Sequence, residues 1–461
     1  MARSKVTGAS REVHKRSFFY YMIYPYVKTF FFSYYGKVEH VGRENIPRNE
    51  PVLMAPNHQN ALMDALNLLY SVPQDVVFLA RADIFNSRAL VFFLNSMKML
   101  PVFRQRDGAS ELGKNVDIFD ICVDVLHNRH YLCVMPEGNH GSQRRLRTIV
   151  KGIFRIGFKA QEEYKDKPFV KILPVGFDVG DYVKHNQPLL IQYGKPIELS
   201  EYWEQYEENS ARGINALKAR LREEMLPLMI NIESDEFYDC IMELKAIVNA
   251  DMRSMMGITG EKHIDRFKAD KELISRLDVI IEKDPEPLRE LALKMDRYVS
   301  GLKEQRIRDW VVRDHGYKLP KSLWRYLTLI LTFPVFLAGF IPNALPYLLP
   351  GHLVRNVKDL QFHSSLKAAM GFLFLFPLTY LLETVAFALI SGLPWWTWIA
   401  FVVVLLPLGK VALTWYLRWK KTVHAARFGQ QLRRRKPEAW DLVELRKEII
   451  ESTMKLIAQH R

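Results

Sequence analysis

Three long apolar runs in the last third of the chain limit what it can fold into. Residues 326–350 carry no charged side chain, residues 369–391 carry only Glu383, and residues 395–417 only Lys410. Each exceeds the ~20 residues a helix needs to cross the hydrocarbon core of a bilayer. Mean hydropathy over all 461 residues is only -0.10, so apolar residues are concentrated here and diluted elsewhere. The flanks bear on topology. Lys318, Lys321 and Arg325 precede the first run, Arg355, Lys358 and Lys367 separate the first from the second, and "RWKK" and "RRRK" follow the third. By the positive-inside rule all three flanks belong on the cytoplasmic side, which requires an even number of crossings. We therefore expect the proline-containing run 326–350 to be re-entrant and shielded by protein, with 369–391 and 395–417 forming a transmembrane hairpin that turns at "SGLPWW". Glu383 and Lys410 would then differ in depth by roughly 13 Å, which argues against a pair and for a snorkelling lysine.

Lys and Arg outnumber Asp and Glu by 65 to 51, a net charge of +14 that suits an anionic partner such as a phospholipid headgroup or a phosphorylated substrate. "RRRK" at 433–436, beside a membrane hairpin, fits lipid better than nucleic acid, so no nucleic-acid partner is expected. The three cysteines, Cys122, Cys133 and Cys240, have no CxxC spacing, which indicates neither a disulfide framework nor a zinc site and suits a reducing compartment. At the N-terminus, residues 1–37 begin basic and continue into an aromatic stretch interrupted by Pro25 and Lys28. Residues 17–35 read as a helix lying at a bilayer interface.

Between 38 and 200, short β-rich runs at 76–80, 131–136, 169–177 and 189–194 alternate with helical patterns. This predicts an α/β domain with a mixed, largely parallel sheet flanked by helices. Residues 201–320 have helical spacing and read as a helical section. Residues 321–420 are the membrane region, and 421–461 a basic helical tail.

Within 38–200, "NHQNALMD" places His58 and Asp64 six positions apart. On one continuous helix that separation turns the side chain by about 240 degrees, so the two would not share a face. A helix beginning between them, with Asn60 as its N-cap, would let Asp64 fold back and hold one imidazole nitrogen, leaving the other as a general base. Taken alone, a capped helix beside a solvated histidine is the commoner explanation of the pair. Other segments add weight. "LPVFRQRDG" puts Arg104 and Arg106 on one face of an extended segment, able to aim two guanidinium groups at one anion. "VMPEGNHGSQRR" ends a strand in Pro136-Glu137-Gly138, a turn that should leave Glu137 exposed beside Arg144 and Arg145. "ILPVGF" is a strand whose proline suits an edge or a pocket wall.

The set of His58 and Asp64, the Arg104 segment, Pro136-Glu137-Gly138 and "LPVGF" resembles, in order and spacing, the four motifs of the glycerolipid acyltransferase family. The resemblance covers about residues 38–200. It implies His58 as base, Asp64 as its partner, Arg104 as a phosphate ligand, and Glu137 with Gly138 in the acceptor pocket. Two departures bear on the acceptor. The usual His-x4-Asp has five intervening residues here, similar to fungal-type glycerol-3-phosphate and dihydroxyacetone-phosphate acyltransferases. The usual Thr-Arg-Ser is replaced by Asn139-His140-Gly141, followed by Ser142, so the resemblance shifts that phosphate contact to Arg144 or Arg145.

Other motifs carry less. "GASELGKN" matches G-x4-G-K but continues with Asn115 instead of Ser or Thr, and "HNRH" at 127–130 lacks completing ligands. No G-x-S-x-G occurs. The expectation is an integral membrane O-acyltransferase with its catalytic domain on the cytoplasmic face. It would move a fatty acyl group from acyl-CoA or acyl carrier protein to glycerol 3-phosphate or 1-acylglycerol 3-phosphate, without metal or further cofactor. The alternatives are a lysophospholipid or aminolipid O-acyltransferase and a silent lipid-binding scaffold.

Overall fold

The α/β alternation becomes an eight-stranded sheet in the computed structural model, which describes residues 9–104, 113–165, 167–182, 184–357 and 360–459. The chain divides into two compact units, residues 1–231 with 359–365, and residues 232–358 with 366–461. Arg106 and most of "GASELGKN" lie outside the described residues.

In the first unit the strands are β1 (Lys37–Val41), β2 (Val52–Pro56), β3 (Val76–Arg81), β4 (Met99–Val102), β5 (Tyr131–Cys133), β6 (Lys171–Val179), β7 (Pro188–Tyr193) and β8 (Ile197–Glu198). Their order is β1-β7-β6-β2-β5-β3-β4, with β8 also on β6. Among the described residues only the β6–β7 and β6–β8 pairs are antiparallel. The helices are α1 (Phe18–Tyr34), α2 (Leu62–Leu69), α3 (Arg88–Ser96), α4 (Asn115–His127), α5 (Gly152–Gln161), α6 (Trp203–Glu208) and α7 (Ser210–Met225). Helices α4, α5 and α7 present Ile121, Val125, Phe154, Phe158, Leu217 and Leu221 to one core. Strand β2 is buried along its whole length, as a parallel strand between two neighbours must be.

Pro174 lies inside the sheet and not at an edge, a departure from expectation with a simple cause. β8 pairs with Lys171 and Ile172, while the β7 ladder starts at Val175. The Pro174 carbonyl turns to that side to accept the Gly194 amide at 2.9 Å. Its absent N–H therefore falls where β6 changes partner, and no ladder bond is lost.

The second unit contains α8 (Tyr238–Met255), α9 (His263–Lys283), α10 (Glu286–Glu304), α11 (Asp309–Arg313) and α12 (Leu319–Leu353). After α13 (Leu360–Ala368) and a π-turn at 369–375 come α14 (Phe376–Ser391), α15 (Trp395–Arg433) and α16 (Pro437–Gln459). Among the described residues, three stretches are long and apolar enough to cross a membrane: Leu319–Asn356, Ser365–Ser391 and Trp395–Arg433.

The first apolar run is not broken at its prolines. It belongs to one continuous 35-residue helix, α12, that passes through Pro334, Pro342, Pro346 and Pro350. Each internal proline removes one i→i−4 bond, but Pro342, Pro346 and Pro350 recur every four residues, so their losses fall along one stripe and leave the other rows of the helix intact. Two side chains donate to other α12 carbonyls, Trp415 Nε1 of α15 to Leu329 at 3.2 Å and Asn343 Nδ2, within α12, to Gly339 at 2.9 Å. α12 lies antiparallel along α15. Tyr317, just before α12, donates its amide to Ala425, and a Cβ on Gly339 would sit 2.3 Å from the Leu408 carbonyl. That glycine is what lets the two backbones meet. The turn at 392–394, with Gly392 left-handed, does join α14 to α15. Three successive full crossings would make α12 and α15 parallel, so their antiparallel packing means the three runs do not simply alternate across a bilayer.

Candidate active site

Strands β2, β3, β4, β5 and β6 run in the same direction, so their carboxyl ends share one edge of the sheet. That edge is where open α/β sheets place their sites. His58 follows β2, Arg104 follows β4, Glu137 follows β5, and Asp178 is the penultimate residue of β6. Topology alone thus gathers segments that are far apart in sequence.

Asn57 fixes the point at which the chain leaves β2. Its side-chain amide donates to the Phe177 carbonyl at 3.2 Å and accepts the Phe177 amide at 2.6 Å, continuing the ladder with side-chain atoms. His58 comes next. Its Nδ1 lies 3.0 Å from Asp64 Oδ2, and the same oxygen accepts the backbone amides of Gln59 at 2.9 Å and Asn60 at 2.7 Å. Because that oxygen already accepts two backbone N–H groups, the Nδ1–H tautomer of the imidazole completes its set of donors and leaves the Nε2 lone pair free. Asp64 is 1% exposed, and the His58 side chain is 15% exposed.

α2 does begin between the two residues, but the cap differs from expectation. Ala61 occupies the N-cap position without a side-chain hydrogen bond, and the Asn60 side chain makes none among the described residues. Asp64 takes over that task by binding the amides ahead of the helix. Ala61 is held at φ 45° and ψ -123°, a region L-residues rarely adopt and one that costs on the order of 1–3 kcal/mol. The charge-assisted bonds to Asp64 offset this strain.

Glu137 is buried at 5% exposure, not exposed as its turn suggested. Oε1 accepts the His58 amide at 2.8 Å, while Oε2 accepts Arg147 Nε at 3.1 Å and the Arg147 amide at 3.3 Å. Burial pushes this carboxyl above its ordinary range, against the downward pull of the His58 amide and Arg147. Gly141 N–H donates to the His58 carbonyl at 3.3 Å, so the loop after β5 grips the His58 backbone from both sides. Gly138 has φ +68°, and an added Cβ would meet Val150 Cγ1 at 3.3 Å, hence the glycine. The His140 ring stands edge-on to the His58 ring, centroids 5.7 Å apart.

Arg104 joins this group, with Nη1 3.4 Å from Asn139 Oδ1 and Nη2 3.7 Å from Asp83 Oδ2. Arg144 is engaged elsewhere. It is 4% exposed, bonded to the Asp178 carboxylate and the Val179 carbonyl, and its guanidinium lies 4.7 Å from the centre of the Tyr182 ring. Arg145 is half-buried, its amide donating to the Gln143 carbonyl at 3.0 Å. Sequence reasoning missed Arg147 and gave His140 no role. Within "RRLR", spacing could not tell which guanidinium turns toward Glu137. The result is a sheet edge with two imidazoles and the guanidiniums of Arg104 and Arg147, in which the buried carboxylates of Asp64, Glu137 and Asp178 are already engaged. No group of three or more His, Cys, Asp or Glu among the described residues is arranged to hold a metal.

The acyltransferase family model matches residues 37–178, the segment that contains every element of this edge. Among solved structures, the chain is similar to the crystal structure of the 1-acyl-sn-glycerophosphate (LPA) acyltransferase PlsC from Thermotoga maritima. That likeness has 21% identity, covers 43% of this chain and 79% of that one, and has a TM-score of 0.28. No curated protein sequence matches the chain.

Proposed function

We propose, from the match of residues 37–178 to the acyltransferase family, that this O-acyltransferase moves a fatty acyl group from a thioester to a hydroxyl of glycerol 3-phosphate or 1-acylglycerol 3-phosphate. The observation that carries the reading is the His58–Asp64 pair, with Nδ1 committed and Nε2 left as a base. The donor is acyl-CoA or acyl carrier protein. His58 Nε2 takes the hydroxyl proton as the oxygen adds to the thioester carbonyl. Collapse of the tetrahedral adduct expels the thiolate, and the imidazolium returns the proton to sulfur. Asp64 stabilises the imidazolium between those two transfers. No covalent enzyme intermediate is needed, and the thioester itself is the co-substrate. Base catalysis contributes roughly 10² to 10⁴ in rate, and positioning supplies much of the rest.

Arg104 and the basic character of the edge support a phosphate-bearing acceptor, because a planar guanidinium pairs with phosphate oxygens by two parallel bonds. The three apolar helices support a membrane-embedded enzyme that meets its acyl substrates at the bilayer, and the basic flanks support a cytoplasmic catalytic domain. Replacement of Arg104 by Ala tests the acceptor. The apparent KM for glycerol 3-phosphate or its acylated form should rise about tenfold or more, since hydrogen bonds to charged groups contribute about 1.5–3 kcal/mol. The KM for the thioester should stay constant. An unchanged acceptor KM, with transfer to a lysophospholipid or aminolipid in the same panel, would reject the phosphate monoester.

A further inference from the structure

The outer face of α1 is apolar and aromatic over residues 18–26, and its exposed polar residues, Lys28, Thr29 and Ser33, lie toward its C-terminal end. Phe18 is 73% exposed, Tyr21 60% and Met22 59%, and Lys28 is the one charged residue in the helix. A helix with water on that side would be expected to carry a polar stripe there. α3 repeats the pattern at a smaller scale. Leu90 is 41% and Phe92 45% exposed, Ile84 just ahead of it is 38% exposed, and Arg88 is its one charged residue.

The two helices are bolted together. Phe19 and Phe92 meet edge to face with centroids 5.6 Å apart, and Ser17 Oγ donates to the Ser96 carbonyl at 3.1 Å. Arg16 grips Asp75 with two bonds of 2.6 and 2.9 Å, and Tyr20 adds a third to the same carboxylate at 3.3 Å. Lys98, wholly buried, donates Nζ to the His14 carbonyl and lies 3.6 Å from Asp75. The segment leading into α1 is thus fixed to the domain, and α1 with α3 forms one rigid platform.

We propose that this platform is a lipid-seating face, in which α3 enters the headgroup region of an anionic leaflet beside α1 and both rims are held by Lys28 and Arg88. Neither helix contains Asp or Glu, and Asp83, beside Ile84, is paired with Arg81, so the charges carried by the two helices themselves are cations that complement anionic headgroups. Mixed Phe, Tyr, Leu and Met on a rigid surface suit burial about 5–10 Å into the boundary between headgroups and acyl chains. A second protein surface is a weaker fit, because the same chain carries three helices apolar enough to hold this domain next to a bilayer. The proposal rests on the chain residing in a membrane and is independent of which acceptor it acylates.

The test uses the full chain in vesicles of phosphatidylcholine and phosphatidylglycerol. Single cysteines replace Leu90, Phe92 or, as a water-facing reference, Lys159, which pairs with Asp120 on an open surface. Cys122, Cys133 and Cys240 are buried, so a maleimide fluorophore will favour the new site. With nitroxide lipids present, labels at 90 and 92 should lose roughly half their emission and resist aqueous iodide, while the label at 159 does the reverse. Iodide quenching at 90 and 92 comparable to that at 159 overturns the proposal. So does protection from both quenchers, which would assign the face to protein, either a second copy or a partner. Because Leu90 and Phe92 are partly exposed and are read separately, failure of one variant to fold leaves the other decisive.

Discussion

His58→Ala is expected to lower acyl transfer by ~10²–10⁴, while the protein still folds and enters the membrane. The fold should survive because the backbone of residue 58, not its ring, ties the site together. Its amide is bonded to Glu137, its carbonyl accepts from Gly141, and both bonds remain in the alanine variant. Asp64 loses one of three donors and keeps the amides of Gln59 and Asn60. The ring is partly open to solvent, so its removal leaves little buried void. The measurement is kcat in purified protein, read beside the melting temperature and alkaline extraction of membranes. Full activity at unchanged stability would remove His58 from the chemistry.

Asp64→Asn should be nearly as severe for the rate and mild for stability. All three donors converge on one oxygen of Asp64, and the amide oxygen of asparagine can occupy that place. Geometry is then retained while the negative charge facing the imidazolium is lost. A fall in kcat of ~10² or more, with the acceptor KM close to wild type, is the expected pattern. Asp64→Ala should instead lose both properties. It leaves two buried amides unpaired at about 1–3 kcal/mol each, and it frees the strained Ala61 from what holds it. If the Asp64→Asn variant matches the wild-type rate, the charge of Asp64 has no part in the step.

The α/β domain could be read early because its physics is local. The apolar, β-branched runs at 76–80, 131–136, 169–177 and 189–194 all became sheet strands, and the helix did start between His58 and Asp64. The errors arose where one residue could serve two purposes. Asn60 has the chemistry of a cap, yet Asp64 reached the same amides with a full charge, which makes stronger bonds. Glu137 follows Pro and precedes Gly, a pattern of surface turns, but its carboxylate is drawn inward by the His58 amide and Arg147. Arg144 and Arg145 stood beside the motif, whereas Arg147 makes the contact, because the position of a guanidinium depends on loop path and not on distance in sequence. Pro334, Pro342, Pro346 and Pro350 would interrupt a helix in water. In α12 the losses of the last three fall on one stripe, and the remaining rows of i→i−4 bonds carry the helix through. Residues 201–231, grouped with the helical section by composition, belong to the first unit because Leu217 and Leu221 complete its core.

The most direct measurement supplies purified full-length protein, in vesicles, with a long-chain acyl thioester and radiolabelled glycerol 3-phosphate. The label should pass into an organic-extractable acylglycerol phosphate only when thioester is present, and His58→Ala should remove that product. Label that stays in the aqueous phase with every thioester offered, or product formed equally by the alanine variant, would contradict an imidazole-driven transfer to a phosphorylated glycerol.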